Sequence, residues 1–65
     1  MRILVNGASH EIAGVALAAV LEELGYGERV VATAVNGEFI AASARAHITL
    51  AEGDRVEVLS PMQGG

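Results

Sequence analysis

The sequence predicts an α+β domain in which one main helix packs on a mixed sheet of about four to five strands. Two Asn-Gly pairs, Asn6-Gly7 and Asn36-Gly37, each split a β-compatible run and mark tight hairpins. Between them Leu17, Val20, Leu21 and Leu24 recur at helical spacing and form one apolar stripe. A last β-compatible run, Arg55 to Leu59, stops before Pro61.

Met1 to Asn6 reads as the first strand, with Ile3, Leu4 and Val5 suited to a sheet. Its return, Ala8 to about Ile12, has a poorer pattern and is expected at a sheet edge. From Val15 to Leu24 the period changes from two to 3.6, with Ala16, Ala18 and Ala19 as strong helix formers. No Ser, Thr or Asp stands at the helix start, so that turn relies on Gly14 or frays; Gly25 suits the position just past the end. Val30 to Val35 and Glu38 to Ile40 form the second hairpin, and Ala41 to Thr49 allows a short helical turn anchored by Ile48 and Leu50. Glu52-Gly53-Asp54 is a turn into the last strand, which places Val56 and Val58 on one face. Ile3, Val5, Val56 and Val58 then supply the apolar face that the helix needs, if the last strand returns beside the first. That arrangement is a ubiquitin-like β-grasp. The expected division is a β-grasp over residues 1–59 and a flexible C-terminal tail over 60–65.

A chain of 65 residues leaves no room for a second core or an enclosed cofactor pocket. Apolar residues make up 52%, but only Tyr26 and Phe39 are aromatic, so the core is built from small aliphatics. The net charge is −4, the only cations besides the N-terminus are Arg2, Arg29, Arg45 and Arg55, and there is no lysine. A nucleic-acid partner would need a basic stripe, and none is present. No apolar run reaches the ~18 residues of a membrane span. The start lacks a signal-peptide pattern, and zero cysteines fit a reducing compartment; a cytoplasmic monomer is expected.

Conventional catalysis finds no footing. Ser9, His10 and Glu11 are adjacent on a strand and so point to alternate faces, which prevents a relay. His47 has no second ligand at a helical or hairpin spacing, so both histidines read as ordinary surface residues rather than metal ligands. The glutamates read as the solvated face of an acidic domain. Gly25 and Gly27 follow a helix, whereas a phosphate cradle precedes one.

The tail is different. Ser60 to Gly65 could extend ~20 Å, far enough to enter another protein's active site. Gly64 and Gly65 lack Cβ, so they thread a narrow channel and leave the terminal carbonyl open to reacting groups. A terminal carboxylate is ionised at neutral pH and nucleophilic, yet a poor acyl donor until its oxygen becomes a leaving group. Attack on the α-phosphate of ATP would supply one, and sulfur transfer would then give a thiocarboxylate. By itself a terminal Gly-Gly is a frayed end; joined directly to the last strand of a β-grasp, it points to acyl chemistry.

Met1-Arg2-Ile3-Leu4-Val5-Asn6-Gly7 resembles the first hairpin of the ThiS family, the β-grasp sulfur carriers of thiamine biosynthesis. Val35-Asn36-Gly37-Glu38-Phe39-Ile40 resembles its second hairpin, and Leu50-Ala51-Glu52-Gly53-Asp54-Arg55-Val56-Glu57-Val58 its return strand. The most specific element is the ending Pro61-Met62-Gln63-Gly64-Gly65. The resemblance implies that Gly65 is adenylated by a ThiF-like enzyme and converted to a thiocarboxylate, which delivers sulfur to a ThiG-like thiazole synthase. Met62, Gln63 and Gly64 would be the tail residues recognised. The carrier would bind no cofactor itself; ATP and the sulfur donor belong to the partner enzyme. The chain departs from the family at Ala41 and Ala42, where a proline and an arginine are usual, and near Gly14, where a Thr or Ser commonly starts the helix.

Two other functions fit the same residues. A MoaD-like carrier for molybdopterin synthesis shares the ending but is usually longer, and a non-catalytic β-grasp interaction module would need no chemistry at Gly65. The sheet face away from the helix is the expected docking surface for the adenylating enzyme. Alternation puts Arg55, Glu57 and Leu59 on it, beside Arg2 and Leu4.

Overall fold

The computed structural model describes residues 1–61. Among them the elements run β1 (Arg2–Val5), β2 (Ala8–Glu11), α1 (Leu17–Glu23), β3 (Ala32–Val35), β4 (Glu38–Ile40), a 3-10 helix (Ala42–His47) and β5 (Arg55–Leu59). Both hairpins close as the Asn-Gly pairs predict: φ is 50° and 85° at Asn6 and Gly7, and 51° and 86° at Asn36 and Gly37. These left-handed values cost Asn and Gly little and match the twist of the flanking strands.

The strands form one sheet in the order β2-β1-β5-β3-β4. β5 lies between β1 and β3, parallel to the first and antiparallel to the second. Leu4 is opposite Arg55 and Val5 opposite Val56 in the parallel pair. Ile3, Val5, Val56 and Val58 turn inward and are buried, as alternation requires, against Leu17, Val20 and Leu21 of α1. Ile12, Ile40 and Leu50 complete this core, and β2 is an exposed edge strand. The result is the β-grasp expected from the sequence.

Several boundaries differ from expectation. The helix is shorter than Val15 to Leu24 because Val15 and Ala16 pair with the segment after the 3-10 helix. The Leu17 N–H donates to the Ile48 carbonyl at 2.8 Å, and the Val15 carbonyl accepts from the Leu50 N–H at 2.9 Å. Ala16 is therefore extended, with ψ 143°. At the other end Leu24 caps the helix and is half-buried, while Gly25 takes φ 94°. The Tyr26 N–H then reaches the Leu21 carbonyl at 2.8 Å and the Gly25 N–H reaches Glu22 at 3.1 Å, a Schellman ending. β3 begins at Ala32 rather than Val30, because the ladder to β5 ends at the Ala32–Leu59 pair. β2 ends at Glu11 rather than Ile12.

No serine or threonine caps α1, and the sequence offered only Gly14 in its place. The first helical N–H, that of Leu17, goes to the Ile48 carbonyl, and Glu23 ties down the segment before it. Its carboxylate accepts from the Ala13 N–H at 2.9 Å and the Gly14 N–H at 2.9 Å, tying the lead-in segment to the far end of the helix. These bonds, Gly14's first and Ala13's second, hold the Glu23 carboxyl below the ordinary carboxylate range.

Candidate functional site

The face of the sheet opposite α1 is built by the outward residues of β1, β5, β3 and β4. Leu4 and Arg55 are cross-strand neighbours, Ala34 lies opposite both Glu57 and Phe39, and Ala32 lies opposite Leu59. Cross-strand partners share a face, so these side chains form one continuous surface. Leu59 is 66% exposed, Phe39 69% and Leu4 36%. Small Ala32 and Ala34 floor an apolar notch of about 110 Å³ walled by Phe39 and Leu59. Beside it, an open depression of about 550 Å³ runs over β5 between the two Asn-Gly turns, lined by Leu4, Asn6, Arg55, Glu57 and Leu59.

Arg55 and Glu57 stand two residues apart on this face, and both are exposed. Among the described residues neither makes an ion pair; the pairs present join Glu11 to Arg2 and to the N-terminal ammonium. No three of His, Cys, Asp or Glu converge as a metal site among the described residues, and no helix there is long and apolar enough to cross a membrane.

β5 hands the chain on at Leu59. Ser60 and Pro61 follow, both exposed, and with Val30 and Leu59 they line a mostly apolar groove of about 290 Å³. Val30 is 80% exposed there. Met62, Gln63, Gly64 and Gly65, the tail residues singled out from the sequence, lie outside the described residues.

The family model for the ThiS family matches residues 3–65. The chain belongs to the ThiS family. Its fold is similar to the crystal structure of a thiamine biosynthesis protein (ThiS) from Geobacter metallireducens, with a TM-score of 0.84 and 30% identity over 100% of both chains. A solution structure of a thiamine biosynthesis protein from the same organism matches at a TM-score of 0.79 and 30% identity, over 100% of this chain and 88% of that one. No curated protein matches the chain.

On this ThiS-family sheet Leu4, Arg55, Glu57 and Leu59 come together on one face, and Arg2, also named from the sequence, pairs with Glu11 towards the β2 edge. Phe39 was not among them, although it is the largest apolar side chain there. The signal was available: Ile40 is core, so its neighbour on the strand must point out. The departure at Ala41 and Ala42 falls at the entry to the 3-10 helix, where Ala41 is extended and gives no side-chain cap.

Proposed function

We propose that this chain is the sulfur carrier for thiazole formation in thiamine biosynthesis, a protein co-substrate and not itself a catalyst. The observation that carries the reading is the family match, which runs through Gly65 across the β-grasp and its arm together. In the proposed cycle, a Gly65 carboxylate oxygen attacks the α-phosphorus of ATP held by a ThiF-like adenylyltransferase. Pyrophosphate leaves and an acyl-adenylate forms. A sulfur donor of the partner system then displaces AMP, and the resulting thiocarboxylate gives its sulfur to a ThiG-like thiazole synthase. The two solved structures above are of a thiamine biosynthesis protein from Geobacter metallireducens, which favours this route over molybdopterin synthesis. The outward face with Leu4, Phe39, Arg55, Glu57 and Leu59 docks the partner, while Met62, Gln63 and Gly64 line its channel. The reading places the carrier, as a monomer, in the cytoplasm, where ATP for its partner is supplied.

The test is ATP–pyrophosphate exchange with the cognate adenylating enzyme. One alanine added after Gly65 moves the carboxylate by about 3.5 Å, whereas reaction needs atoms held roughly 3–3.5 Å apart. Exchange should disappear with the thermal melt unchanged, and Gly64→Val should act alike by blocking the channel. Wild-type exchange from the alanine-extended chain would sink the thiocarboxylate mechanism and leave an interaction module.

A further inference from the structure

β1 ends before β5 does. The main chain of β1 makes its last contact with β5 through the Asn6 N–H, which donates to the Val56 carbonyl at 2.9 Å. At Gly7 the backbone turns away into β2, so the next pair of β5 polar groups on that side, those of Val58, has no strand to meet. The Asn6 side chain fills the place. Its Oδ1 accepts from the Val58 N–H at 2.9 Å, and its Nδ2 donates to the Val58 carbonyl at 3.0 Å. One carboxamide thus stands in for the missing peptide group, with one donor and one acceptor as a peptide has. On the other side Leu59 pairs with Ala32, so β5 stays held on both flanks to its end.

The second turn provides a natural control. The Asn36 Oδ1 accepts from the Arg55 N–H at 2.9 Å, and its Nδ2 donates to Asp54 at 3.1 Å. This clip uses the same residue in the same turn, but it holds the beginning of β5, away from the arm.

We propose that Asn6 is a positioning residue for the C-terminal arm: its bond to Val58 fixes where the arm leaves the sheet and keeps Leu59 on the outward face. The proposal rests on the sulfur-carrier reading. With the clip lost, the held part of β5 shortens and the arm lengthens, so docking must order more chain. The cost appears in binding rather than in chemistry, because Gly65 itself is untouched.

The test compares Asn6→Gly with Asn36→Gly in the full chain. Glycine keeps the left-handed turn at both sites, so each variant removes only the clip. Both should melt at lower temperature than wild type. In ATP–pyrophosphate exchange, only Asn6→Gly should raise KM for the carrier, about tenfold, with kcat within about twofold. Hydrogen exchange should show the Val58 amide protected in wild type and in Asn36→Gly, and unprotected in Asn6→Gly. Equal KM changes in the two variants, an unchanged KM in Asn6→Gly, or a Val58 amide still protected there overturns the proposal. If wild type itself gives no exchange, the carrier reading is what fails, and Val58 protection alone then decides whether Asn6 holds β5.

Discussion

The Nε–H of Arg45 donates to the Oγ1 of Thr33 at 3.0 Å, and this contact fastens the 3-10 helix to the sheet. The same guanidinium donates through Nη2 to the Val31 carbonyl at 2.6 Å, just before β3 begins. Thr33 is the one buried polar residue among those described, and its hydroxyl passes its own hydrogen to the Ile40 carbonyl at 2.9 Å. Arg45 therefore ties the 3-10 helix to β3 and its lead-in, and Thr33 carries the connection on to β4.

Thr33→Val should destabilise the fold by about 1–3 kcal/mol, because it removes the acceptor of the Arg45 Nε–H and the side-chain donor to the Ile40 carbonyl. Arg45→Lys should not restore an Arg45→Ala loss, since an ammonium lacks the fork that reaches both acceptors. Urea denaturation of the three variants checks this; full rescue by lysine would contradict the bidentate role.

Glu23 makes the stability depend on acid. Its carboxyl is held below the ordinary range in the folded state, so the folded chain binds its proton more weakly than the unfolded chain. The contribution is fully present above the ordinary carboxylate pKa, and is lost as pH falls through the lowered one. Glu23→Gln should therefore melt below wild type at about pH 7, and the gap should narrow as pH falls below the ordinary carboxylate range. A gap that persists in acid would mean that the bonds to Ala13 and Gly14 do not depend on charge.

Leu21 is a buried member of the core with Ile3, Leu17, Val20 and Val56. Leu21→Ala should cost about 2–5 kcal/mol, through lost burial and the cavity left behind. In so small a domain that is enough to unfold much of the population at 25 °C. Circular dichroism at increasing urea reads it directly, and a loss under about 1 kcal/mol would mean that the helix packs more loosely than its burial indicates.

The outward face yields a binding prediction. Changing both Leu4 and Leu59 to Ser should weaken binding to the adenylating enzyme about tenfold or more, and adding Phe39→Ser should weaken it again. All three side chains are already exposed or nearly so, so the melting temperature should change little. Titration calorimetry measures the affinity; an unaltered Kd in the triple variant would leave the arm as the only recognition element.

Much of this protein was legible in its sequence because local chemistry fixed it. Asn-Gly at positions 6–7 and 36–37 demands left-handed corners, so both hairpins followed from two dipeptides. The stripe Leu17, Val20 and Leu21 and the alternation of Ile3, Val5, Val56 and Val58 each have one period that buries them, so the core followed too. The ending Pro61-Met62-Gln63-Gly64-Gly65, read together with the two hairpins and the return strand, pointed to the family.

Only the tertiary structure decided what depends on residues far apart in the chain. The helix starts at Leu17 because Ile48 takes its N–H, 31 positions away, and no pattern within the helix contains that fact. Glu23 looked like one more solvated acid until the lead-in segment came within reach of its carboxylate. Asn6 was readable as a turn residue but not as the partner of Val58, since that role exists only where β1 runs out beside β5. Periodicity and turn chemistry record which way a residue faces; hydrogen bonds across 50 residues record which strand arrives opposite it, and the packed sheet alone sets that.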